Sequence, residues 1–153
     1  MGIPKLIIDE AERKGIVDLI AKALSLDPLT TSKAHLELAE RFLKEGRELI
    51  DKDPVQASEK LYKAAEEAIK AMATALGLEE AKRASEIGRW TAQLLFDAVD
   101  NVADRLGRRE VRLWWGWAWF LHVEGFHEAR LRPDQVRRDL PDVEALVNLA
   151  RSI

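Results

Sequence analysis

Asp53-Pro54-Val55-Gln56-Ala57-Ser58-Glu59-Lys60-Leu61-Tyr62-Lys63-Ala64-Ala65-Glu66-Glu67-Ala68-Ile69-Lys70-Ala71-Met72-Ala73-Thr74-Ala75-Leu76-Gly77 reads as one long helix with both ends marked. Asp53 can accept from the orphan N–H groups of the first turn. Pro54 has the φ that a first helical residue needs, and Gln56 stands where a capping box places its third residue. Gly77 fits the left-handed residue that ends many helices. Between these ends Ala57, Leu61, Ala65, Ala68, Met72 and Ala75 recur at helical spacing and make an apolar seam. Its small alanines let a neighbouring helix come close.

The rest of the chain arranges itself around this helix. Asp51-Lys52-Asp53-Pro54 is a tight turn, so the preceding helix, over about residues 33–51, folds back as an antiparallel partner. Leu36, Ala39, Leu43, Gly46 and Ile50 form its inner face. Upstream, a helix is expected over about residues 5–26, weakened at Gly15, and residues 27–32 read as a connector in which Thr31 or Ser32 caps the next helix. Downstream, helices are expected over about 79–88, 89–106 and 109–129, then a break at Leu131-Arg132-Pro133, a short helix, and a last helix over 142–152 opened by Pro141. No segment reads as a strand. The expected class is all-α: an antiparallel up-and-down helical bundle with extra N- and C-terminal helices. It is read as one domain over 1–153, with a helical arm at 1–28, a core bundle at 33–129 and C-terminal helices at 133–153.

Composition narrows the function classes. A chain of 153 residues, 47% hydrophobic, can hold a core without staples. The absence of cysteine excludes disulfides, cysteine-ligated zinc and thiol catalysis. The longest strongly apolar run, Leu113–Leu121, has nine residues against the ~20 of a membrane span. With no signal-peptide pattern at the start, a cytoplasmic protein away from membranes is expected. Only two Asn and three Gln, with 33% charged residues, suggest heat adaptation. Net charge is −3, yet residues 105–138 carry eight Arg against four acids. That excess is mild, and it reads as ion pairs on helix faces more simply than as a nucleic-acid footprint.

The stretch Asp53 to Ala71 resembles the signature hairpin of the archaeal PaREP domain family, as do Leu36–Leu43 and Gly46–Leu49 before it. Leu121-His122-Val123-Glu124-Gly125-Phe126-His127-Glu128, followed by Leu131 and Asp134, adds a third match, and Leu24-Ser25-Leu26-Asp27-Pro28 a fourth. That family looks related to the HEPN superfamily of helical bundles. The resemblance implies a HEPN-like domain that forms a homodimer, with a nucleotidyltransferase or another protein as a further partner, and with a nucleotide or nucleic acid as a weaker expectation. HEPN RNases carry an Arg, four to six residues, then a His on one helix. None of His35, His122 and His127 has an Arg at that spacing. Arg112 precedes His122 by ten positions, which is ~15 Å along an α-helix and ~80° around it. The RNase motif is therefore absent within the chain, and a binding module is expected over an enzyme. The alternatives are a divergent RNase whose site forms across two subunits from Arg112, His122 and Tyr62, and a helical-repeat scaffold.

The helix over 109–129 concentrates Trp114, Trp115, Trp117 and Trp119. At 100° per residue its apolar residues surround it, so one face is expected to meet a second subunit through Trp114, Trp115, Trp117 and Phe126. Trp115, Trp119, His122 and Phe126 share one face. If this helix packs on the one carrying Tyr62 and Glu66, then His122, Tyr62, Glu66 and Trp119 line a ligand pocket. No cofactor and no metal site is expected. Glu124, His127 and Glu128 read as surface ion pairing, and His122 and His127 lie ~140° apart on an α-helix, too far round to chelate one ion. His35 is given no role.

Overall fold

The structure is a computed structural model in which residues 17–153 are described. The expected helix over 5–26 therefore lies largely outside the described residues. In chain order the helices are α1 (Val17–Ala23), α2 (Pro28–Leu49), α3 (Pro54–Ala75), α4 (Glu79–Ile87), α5 (Ala92–Leu106), α6 (Glu110–Phe120), which runs on as a π-helical segment (Leu121–His127), and α7 (Pro133–Arg151). Among the described residues there is no strand, and the fold is all-α. No described helix is long and apolar enough to cross a membrane.

Helix α3 is the axis of the fold. It packs against α2, α4, α5, α6, the π segment and α7. Ala57, Leu61, Ala65, Ala68 and Met72 of its expected seam are fully buried, joined by Ala64, Ile69 and Ala73, whereas Ala75 is exposed. Its remaining wet face carries Glu59, Lys60, Lys63, Glu66 and Lys70. This arrangement excludes the helical-repeat scaffold, in which each unit touches only its neighbours. Two glycines set how closely other helices approach α3. A Cβ on Gly46 of α2 would come 2.6 Å from Leu61 Cδ2, and one on Gly125 of the π segment 2.2 Å from Ser58 Oγ.

Each helix of the hairpin opens on an Asp-Pro pair whose aspartate is the cap. Asp53 accepts from the Gln56 N–H at 3.1 Å, as its sequence indicates. Asp27 does the same for Thr30 at 2.7 Å, so α2 starts at Pro28 and residues 27–32 are not a connector. Ser32, expected as a cap, instead donates from its hydroxyl to the Ala71 carbonyl at 2.8 Å and ties α2 to α3. Thr91 caps α5 by accepting from Leu94, so that helix begins three residues later than expected. Pro141 does not open a helix. It lies inside the continuous α7. An internal proline costs ~3 kcal/mol, and here the complete burial of Val136, Val143, Leu146 and Val147 offsets it.

Candidate functional site

Two clusters of titratable groups lie along α3, and Glu66 connects them. The first surrounds His35, which is 1% exposed. Its Nδ1 lies 2.9 Å from Glu67 Oε1 and its Nε2 3.2 Å from Asp18 Oδ2. Carboxylates only accept, so both ring nitrogens donate and the ring is an imidazolium. Burial alone would lower its pKa, but the Glu67 charge and the hydrogen bonds to Asp18 and Glu67 outweigh burial and lift it to about 9. Burial likewise works against the Glu67 charge. Lys70 and His35 overcome it and hold that carboxyl at about 2. Lys70 bridges Glu67 and Glu66, each at 2.9 Å, and is held protonated against its own burial. Asp18 also lines a cleft of about 450 Å³ between α1, α2, α3 and α4, with Lys22, Thr31, Thr74 and Lys82 around it. His35 has no expected role from the sequence, because its partners Asp18 and Glu67 come from two other helices and no spacing within α2 displays them.

The second cluster brings together the four residues expected to line a pocket. The Tyr62 ring stacks on His122 with centroids 4.1 Å apart and meets Trp119 edge-on at 5.8 Å. Glu66, one turn further along α3, lies near the Tyr62 hydroxyl. Burial first, then the charges of Glu66 and Glu59, push that hydroxyl well above the usual tyrosine range. The expected row is present as well: Trp115 and Trp119 are 6.4 Å apart, Trp119 and His122 5.1 Å, and His122 and Phe126 6.3 Å, with Phe96 of α5 alongside. Glu59, which sequence reading missed, accepts from His122 Nδ1 at 2.7 Å. Its position one turn before Tyr62 on α3 was the available clue.

The π segment changes the relation between the two neighbouring histidines. Glu128 N–H bonds back five residues to the Val123 carbonyl at 2.9 Å. The wider turn brings residues i and i+5 closer round the axis than an α-helix does. His122 and His127, expected on divergent sides of an α-helix, accordingly have their Nε2 atoms 3.1 Å apart. Glu124 and Glu128 pair with Arg130 rather than with His127.

The tryptophans divide between two sides of α6. Val111, Trp115, Ala118 and Leu121 face the core, and Trp115 is only 5% exposed. Trp114 is half-buried beneath the Arg108 guanidinium, and Phe126 is half-buried beside the histidines. Of the four residues expected at a subunit interface, only Trp117 is exposed. The outer face is instead Leu113, Trp117 and Phe120, exposed by 60%, 48% and 37%, with Trp117 and Phe120 in an edge-on contact at 5.5 Å. Arg112 pairs with Asp100 at 3.2 Å, Arg108 with Glu110 at 2.8 Å, and Arg132 with Asp134 at 3.1 Å. These pairs account for much of the Arg-rich segment as ionic surface.

Comparison with known proteins agrees with this architecture. A crystal structure of a protein from Sulfolobus solfataricus matches with a TM-score of 0.68 and 40% identity, over 75% of this chain and 94% of that one. A solution structure of the same structural-genomics target matches with a TM-score of 0.64 and 42% identity, over 74% and 88%. No curated protein matches the chain. The model of the archaeal PaREP1/PaREP8 family matches residues 34–147, from α2 through most of α7. With most of the hairpin, the whole Trp-rich helix and most of the closing helix inside that match, the chain belongs to the archaeal PaREP1/PaREP8 family.

Proposed function

We propose that this protein is a HEPN-like helical interaction module that works as a homodimer, with the two copies meeting across the outer face of α6. The observation that carries this reading is the stripe Leu113, Trp117 and Phe120, which lies at i, i+4 and i+7 and is open to solvent. Large aromatic side chains in one exposed line mark an association surface more often than a wetted one. Gly116 sits in the middle of the same face, and a Cβ there would meet nothing within 4 Å. The backbone is thus open to close approach by another helix. A stripe centred on its own helix suits a two-fold contact, in which each copy offers the same patch.

Light scattering of the purified chain at micromolar concentration tests this reading. The wild type is expected at twice the chain mass, and Trp117→Glu at the chain mass with unchanged helicity. A wild type that stays monomeric overturns the reading.

A further inference from the structure

We propose that His122 and His127 form a two-histidine clip for a divalent transition-metal ion of the zinc, nickel and copper class. The geometry is the first argument. Their Nε2 atoms are 3.1 Å apart. With metal–nitrogen bonds of 2.0–2.1 Å, that separation subtends about 100° at a shared ion, between the octahedral and tetrahedral angles. An α-helix cannot present residues five apart in this way. The π turn at Leu121–His127 does, and it keeps both rings on one segment.

The surroundings of His122 are the second argument. The Glu59 carboxylate occupies its Nδ1 at 2.7 Å and can only accept. In the neutral ring the proton therefore sits on Nδ1, and Nε2 carries a bare lone pair toward His127. A carboxylate behind a ligating imidazole fixes its tautomer and raises its basicity. Tyr62 stacks on the ring and limits its rotation. His127 is exposed, so an ion can reach the pair from solvent. Without metal, the His127 Nε2–H donates to His122 Nε2. For an ion to bind, that proton moves through solvent to His127 Nδ1, so that both rings stay neutral, both Nε2 lone pairs are free and no net proton is lost.

The ligand count sets the character of the site. Among the described residues no group of three His, Cys, Asp or Glu is placed to hold one ion. The chain then supplies two imidazoles, and the remaining positions go to water or to an external ligand. Imidazole pairs suit Zn²⁺, Ni²⁺ and Cu²⁺ and discriminate against Mg²⁺ and Ca²⁺, which want oxygen ligands. His35 does not compete, because both its nitrogens are engaged in the core.

Isothermal titration of the tag-free protein with Ni²⁺ and with Zn²⁺ tests the proposal. One ion per chain is expected, with no heat from Mg²⁺. His127→Ala, at an exposed position, is expected to weaken binding at least tenfold while leaving helicity intact. Glu59→Gln keeps both ligands and is expected to weaken binding by roughly 10- to 100-fold. A wild type that binds neither ion, or a His127→Ala variant that binds as tightly as wild type, overturns the clip.

Discussion

His35 of α2 and Glu67 of α3 form a hydrogen-bonded ion pair, 2.9 Å long, inside the apolar contact between the two longest helices. Each holds the other charged against burial, and Asp18 and Lys70 extend the pair at either end. A buried network of this kind ties two helices together in one register, and removing one member leaves its neighbours under-compensated in the core.

His35→Ala should therefore destabilise the protein by about 3 kcal/mol, the low end for a broken buried pair, since it takes the imidazolium from both Asp18 and Glu67 while Lys70 still neutralises Glu67. Urea unfolding followed by circular dichroism measures this. The triple variant Asp18→Asn, His35→Leu and Glu67→Leu should recover much of the loss, because neither carboxylate then lacks the imidazolium and Lys70 keeps Glu66.

Stability should also depend on pH with a definite sign. The His35 pKa is about 9 in the folded chain and 6.5 ordinarily, so its contribution is complete below 6.5 and disappears as pH rises through 9. Glu67 is depressed from 4.5 to about 2, so its contribution is complete above 4.5 and disappears as pH falls toward 2. Burial, helped by the nearby Asp142, raises Asp139 of α7 from 3.8 to about 6, which adds stability as pH falls through 6. The three together place the highest melting temperature in the mildly acidic range, at about pH 4.5–6, with a steady decline toward pH 9. Thermal melts across a pH series check this, and a maximum at pH 9 would contradict the charged state of His35.

The contact between Gly125 and Ser58 yields a third expectation. A methyl group at 125 would overlap Ser58 Oγ and Cβ, at 2.2 and 2.5 Å. Gly125→Ala should cost about 1–3 kcal/mol through overpacking. Ser58→Gly, which removes the opposing atoms, should make the same change at 125 much less costly. A double-mutant cycle in unfolding free energy reads the coupling directly.

The caps are the mildest test. Asp27→Ala and Asp53→Ala each remove the acceptor of one first-turn N–H. Each should lower stability by about 1 kcal/mol, and the two losses should add, because the caps share no partner.

These residues also show what the sequence could reveal. Helix α3 was legible from end to end, since Asp53-Pro54 and Gly77 are local chemistry and its seam is a local period. The same Asp-Pro pair at Asp27-Pro28 carried the same information, and only its adjacency to Thr30-Thr31-Ser32 suggested a loop. Pro141 misled in the other direction, because the burial that offsets its cost comes from partners distant in sequence. At the candidate site, Tyr62, Glu66, Trp119 and His122 could be placed together by assuming that two helices pack. Glu59 and His35 could not, since their roles exist only across helices. The His122–His127 contact was hidden for a different reason: helical spacing assumes 100° per residue, and the π turn departs from it.

The meeting of two copies at the outer face of α6 is the central claim, and cysteine cross-linking tests it most directly. The chain has no cysteine of its own, so a single introduced thiol reports one position. Gly116 lies midway along the Leu113–Phe120 stripe, close to where a two-fold axis would pass, and it has space for a side chain. Under mild oxidation at micromolar concentration, Gly116→Cys should form a disulfide-linked dimer in high yield, and Ser85→Cys on α4 should not. A chain that stays monomeric, or one that cross-links through position 85 and not through 116, would contradict the account.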